Sequence, residues 1–96
     1  MIVHRLEFTV KAGRSVDAIE WFKWDRKRIG SNHRIYYNRM GSGHRIAVEA
    51  EFENLGELEK WWAEYTANLA SVSDPPVNFH EAIENFYNKE VWDLIE

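Results

Sequence analysis

The chain has no cysteine among its 96 residues. That excludes a disulfide scaffold and any zinc site built on thiolates. Its two prolines are adjacent, at 75 and 76, and its five glycines are scattered, so long stretches run without a breaker. No stretch approaches the run of about 20 apolar residues that a membrane-spanning helix needs. The opening Met1-Ile-Val-His-Arg-Leu-Glu-Phe has no apolar h-region and does not read as a signal peptide. These absences point to a cytoplasmic protein with no membrane partner. G-x-S-x-G, Walker A and dinucleotide fingerprints are also missing. His4, His33, His44 and His80 show no metal-ligand spacing. His80 and Glu84 stand one helical turn apart, a spacing commoner in plain surface pairs than in half a metal site.

What is present is an ordinary globular composition, 45% hydrophobic and 29% charged, with length for a single domain over residues 1–96. The net charge of −4 hides an asymmetry. Residues 1–45 carry ten Lys/Arg against four Asp/Glu, and residues 46–96 carry two against twelve. Lys23, Arg26, Lys27 and Arg28 form a basic cluster late in an expected helix, continuing to Arg34 across a short loop. There, cations offset the carbonyl end of the macrodipole. In a chain acidic overall this reads as a solvated helix end and not as a nucleic-acid surface. Aromatic residues make up 15% of the chain, five of them tryptophan. So many large rings exceed what a small core absorbs, and the surplus points to an oligomer interface or a ligand pocket.

Residues 2–10 alternate as a strand, with His4, Leu6, Phe8 and Val10 on one face and Val3, Arg5, Glu7 and Thr9 on the other. Ser15 is the expected N-cap of a helix over 16–29, and Gly30 its stop. That helix aligns Ala18, Ile19, Phe22, Arg26 and Ile29, with Trp21 and Trp24 on a flank. A strand over 33–40 sets Ile35, Tyr37 and Arg39 against Arg34, Tyr36, Asn38 and Met40. Gly41-Ser42-Gly43 then makes a hairpin loop to a strand over 44–53, apolar at Ile46, Val48, Ala50 and Phe52. Asn54 and Glu57 form a capping box for a helix over 55–70, with Leu55, Leu58, Trp62, Tyr65 and Leu69 on one stripe. Residues 71–77 break it. Asn78 and Glu81 open a short helix carrying Phe79, Ala82, Ile83, Phe86 and Tyr87, and residues 90–95 close as a strand.

The order β-α-β-β-α-(α)-β predicts an α+β, ferredoxin-like split βαβ fold with an antiparallel four-stranded sheet. Both long helices then cover the face bearing Leu6, Phe8, Ile46, Val48 and Phe52. The other face presents Arg5, Glu7, Thr9, Arg45, Ala47 and Glu49, with Tyr36 or Tyr37.

On these residues the chain resembles the dimeric α/β-barrel superfamily. Its most telling stretch runs from Gly43 to Trp62: a strand ending in an acidic-aromatic pair, an Asn-Leu-x-Glu helix start and a tryptophan pair. With the terminal Glu90-Val-Trp-Asp-Leu-Ile95 it is similar to NIPSNAP-like members. The resemblance implies a homodimer packed sheet to sheet around a shared cavity that takes a small apolar or aromatic molecule. It also implies an alternative, a cofactor-free monooxygenase or isomerase acting on an aromatic or polyketide-like substrate. A third reading is a salt-bridged interaction module without a ligand. For the enzyme, Glu7 is the candidate base and Arg5 the group to hold a developing oxyanion, with Tyr36 the third catalytic candidate. Trp61, Glu49, Arg39 and His80 are the ligand-binding candidates. No cofactor is expected. Haem through His80 is an alternative the resemblance raises, against the absence of the first-strand Asn shared by haem-degrading relatives. The structural counterpart of the polar set is that Arg5–Glu49 and Arg45–Glu7 pairs zip the dimer.

Overall fold

The computed structural model describes residues 1–41, 44–69 and 75–95, the side chain of Tyr87 excepted. The elements are β1 (Ile2–Val10), α1 (Ser15–Ile29), β2 (Arg34–Tyr37), β3 (Arg45–Phe52), α2 (Leu55–Leu69), α3 (Phe79–Ala82) and β4 (Ile83–Asp93). The strands form one antiparallel sheet in the order β2-β3-β1-β4. This α+β arrangement is compatible with the ferredoxin-like pattern.

β1 behaves as its alternation dictates. Ile2, His4, Leu6 and Val10 are buried, while Val3, Arg5, Glu7 and Thr9 stay part-exposed. β3 pairs with β1 so that Phe8 meets Ile46 and Leu6 meets Val48 on the helix side, and Arg5 meets Glu49 on the outer side. The core gathers where α1 and α3 cross this sheet: Val10, Ala18, Trp21, Phe22, Ile46, Ala82 and Ile83. Trp21 packs edge-on to Phe79 at 4.6 Å and to Phe22 at 5.2 Å between ring centres.

Several expectations are corrected here. Ser15 lies inside α1 and does not cap it; Arg14 holds the cap position without a side-chain capping bond, and the Ser15 hydroxyl is 2.9 Å from that of Tyr37. The buried stripe of α1 is Ala18, Trp21, Phe22 and Asp25, which places Trp21 in the core and not on a flank. β2 ends at Tyr37 and does not reach residue 40, so Arg39 lies beyond the strand. The last helix stops after four residues, and the strand begins at Ile83 and not at 90. Ile83 pairs with Val10, Asn85 with Thr9 and Phe86 with Phe8, and these bonds complete the free edge of β1. Tertiary pairing overrides the helical spacing of Ile83, Phe86 and Tyr87. Glu84 is therefore on β4, and the helical His80–Glu84 pair does not form.

The remaining punctuation follows the sequence. Gly30 takes the left-handed conformation, φ 63°, that ends α1. Asn54 Oδ1 accepts the Glu57 backbone N–H at 2.9 Å, an N-cap worth about 1 kcal/mol. Asn78 accepts from the backbone N–H of His80 instead of Glu81. The expected loop at Ser42-Gly43 and the break over 71–74 lie outside the described residues.

α2 covers its side of the sheet loosely. Among its described residues only Leu58 is buried, while Trp61, Trp62 and Tyr65 are half-buried. The gap between α2, α1 and the sheet is what shapes the site.

Candidate functional site

The expected site residues fall on opposite sides of the sheet. Arg5, Glu7, Tyr36 and Glu49 come together on the outer face. Arg5 donates to Glu7 at 3.0 Å and to Glu49 at 2.9 Å, and Arg45 donates to Glu7 at 3.3 Å. Arg34 reaches Glu49 at 3.3 Å and Glu51 at 3.7 Å, and the Arg5 guanidinium lies 5.5 Å above the Tyr36 ring. Register makes this lattice: Arg5, Glu49 and Arg34 occupy one rung across three strands. Both oxygens of Glu7 accept from arginines, whereas a general base needs an oxygen open to the proton it removes. The recess here measures about 250 Å³, small beside the roughly 300 Å³ where ligand pockets begin. Arg39 is exposed beyond β2 and does not join the lattice.

The larger space is on the helix side. A cleft of about 1010 Å³ opens between α1, α2, α3 and the sheet. Leu6, Phe8, Ile35 and Val48 form its floor, Phe22 and Trp21 one wall, and Trp61, Trp62 and Tyr65 the other. Trp61 and Tyr65 stack one helical turn apart, 5.1 Å between centres and 10° from parallel. Trp61, the ligand-binding candidate, and Trp62, expected in the core, both line this cleft. His80 sits at its mouth with an exposed ring. Its backbone is held at both ends, the N–H donating to Asn78 Oδ1 at 2.9 Å and the carbonyl accepting from Lys11 at 2.7 Å. Among the described residues no group of three or more His, Asp or Glu side chains is placed to hold a metal ion.

A polar cluster enters this apolar space. Asp25, buried on α1, accepts from the Tyr65 hydroxyl at 2.7 Å and from two Arg28 nitrogens at 2.6 and 3.1 Å. Arg28 also bonds Asn68, so α1 and α2 are tied through two points. Burial, and then the neighbouring Asp25 charge, push the Tyr65 phenol up from its ordinary range. His33, just before β2, is buried against Trp61 at 4.9 Å between ring centres. Burial holds its imidazole below the usual histidine value, with Asp25 opposing in part.

Behind the cleft wall, His4 is 1% exposed, and among the described residues neither ring nitrogen has a hydrogen-bond partner. Its ring meets Trp62 at 5.8 Å and Phe52 at 6.4 Å, both edge to face. Burial first, then the positive charges of Lys89 and His33, bring it down to about 4.

Sequence reasoning missed Asp25, His33, Tyr65 and Arg26 as site residues. The available signal was a carboxylate at the fourth position of the stripe Ala18-Trp21-Phe22-Asp25. A charge on an apolar stripe has to find a buried partner. In comparisons with known proteins, no family model, no curated protein and no solved structure matches the chain.

Proposed function

We propose that this protein binds a small apolar or aromatic molecule, and that the molecule lies in the cleft between α1 and α2. The observation that carries this reading is the cleft itself: about 1010 Å³ walled by Trp21, Phe22, Trp61, Trp62 and Tyr65. The cleft is open to solvent, so its aromatic walls stand against water unless an apolar molecule covers them. Ligand sites are typically apolar clefts with a few convergent polar groups, and Asp25, His33 and Arg26 are such groups here. Relative to the barrel cavity implied by the superfamily resemblance, this places the ligand on the other side of the sheet.

The second element of the reading is a NIPSNAP-like homodimer joined through the outer sheet face. The lattice of Arg5, Glu7, Arg34, Arg45 and Glu49 supports it, with Tyr36 and Trp92 exposed alongside. A face with both signs interleaved is complementary to a second copy of itself. A cofactor-free oxygenase or isomerase using Glu7 as base is less favoured, because both Glu7 oxygens are already engaged.

Native mass spectrometry of protein purified gently from the host that makes it tests both parts. The expected spectrum shows twice the 11.4 kDa chain mass, with added mass from one small molecule per chain. An adduct-free protein that also takes up no aromatic probe contradicts the binding reading, and a monomer contradicts the dimer.

A further inference from the structure

We propose that the occupant of the cleft carries a carboxylate, received by Arg26 and His33. This rests on the binding reading above and specifies the ligand's polar end. Among the described residues, four that line the cleft carry full charges: Arg14, Asp25, Arg26 and Glu81. Three are already compensated. Arg14 reaches Asp17 at 2.5 Å and Glu81 at 3.8 Å, and Asp25 is held by Arg28. Arg26 meets no carboxylate among the described residues; one of its five N–H donors goes to the His33 carbonyl at 3.2 Å. Capping the helix end does not account for it. The carbonyls of Arg26 and Lys27 already accept from the backbone N–H groups of Ser31 and Gly30.

His33 adds a neutral donor at the same place. Ser31 Oγ accepts the His33 backbone N–H at 3.1 Å and lies 2.5 Å from Nδ1. Either tautomer satisfies this contact, and the carboxylate assignment takes the one in which Ser31 donates to Nδ1. The imidazole proton is then on Nε2, which makes no hydrogen bond among the described residues. An uncompensated guanidinium and a ring N–H select an anionic oxygen. A cationic ligand meets repulsion from Arg26, and a pure hydrocarbon displaces water from both donors without replacing its bonds. Behind these donors stands the aromatic wall of Trp61 and Tyr65. The ligand class is then a monocarboxylate with a flat or flexible apolar body.

The test is calorimetric titration of the full chain with 2-naphthoate and with 2-naphthalenemethanol, which share the ring system and differ in charge. The expected result is roughly tenfold tighter binding of the carboxylate, the worth of a charge-assisted contact. Arg26→Gln removes the guanidinium charge and should erase that advantage, bringing the carboxylate's affinity down to that of the alcohol. Arg26→Lys should keep most of it. Equal affinities in the unaltered protein, or an advantage that survives Arg26→Gln, overturn the carboxylate assignment while the cleft reading stands. If neither compound binds, the cleft reading falls with it.

Discussion

Replacing Asp25 with alanine is expected to destabilise the fold by about 3 kcal/mol, the cost of breaking a buried charged hydrogen-bond network. The Asp25 side chain is 9% exposed and that of Arg28 19%, so solvent screens the pair little. The substitution removes three bonds together: two from Arg28 and one from the Tyr65 hydroxyl. It leaves a guanidinium beside Trp24 with Asn68 as its one remaining hydrogen-bond partner among the described residues. In a chain this short, the loss corresponds to a melting temperature lower by roughly 12–24 °C. Tyr65→Phe removes one bond and keeps the ring, and should cost about 1 kcal/mol. Thermal and urea denaturation of both variants decide the matter. A loss for Asp25→Ala no larger than that for Tyr65→Phe would show that Asp25 does not join α1 to α2.

Acidification is expected to weaken the fold through His4 before carboxylates take over. In the unfolded chain this imidazole binds its proton near 6.5, whereas in the fold its value is about 4. Between those values the unfolded state takes up a proton that the native state refuses. Stability attributable to His4 is therefore intact above about pH 6.5, declines as pH falls, and levels off below about 4, a change of about 3 kcal/mol. The groups facing it have the same sign of effect: Lys89, whose ammonium lies 4.9 Å above the Trp62 ring, and His33 whenever it carries its own proton. His4→Leu, similar in volume, removes two unpaired buried nitrogens. At pH 7 the variant should be as stable as the parent or more so. Unfolding free energies from pH 7 to pH 4.5 should fall much less steeply for the variant. Parallel curves would contradict a role for His4.

The strands on which each face is fixed by alternation were readable from the sequence. Leu6 and Phe8 of β1, and Ile46, Val48 and Phe52 of β3, lie on the helix side as their period of two requires. The same period put Arg5, Glu7 and Glu49 on one outer patch. Elements decided by neighbours were less legible. Ile83, Phe86 and Tyr87 have helical spacing, and pairing with β1 draws the segment into β4. The cleft was hidden for a related reason. Its polar groups come from three separate elements, and a shift in the α1 stripe from Ile19 and Arg26 to Trp21 and Asp25 decides which of them meet. Trp61 was identified as a lining residue because Trp62 already filled the expected α2 stripe, yet the looseness of α2 opens the cleft to both.

The tryptophans allow the most direct measurement, because they report on both sides of the sheet. Trp21, Trp61 and Trp62 line the cleft, whereas Trp92 pairs with Val3 on the outer face and is 58% exposed. Their indole N–H resonances can be followed by NMR while 2-naphthoate is added to the full chain. Binding in the cleft predicts saturable shifts of Trp21, Trp61 and Trp62 with Trp92 unmoved. Saturable shifts at Trp92 with the other three unmoved would place the ligand on the outer face and contradict the account.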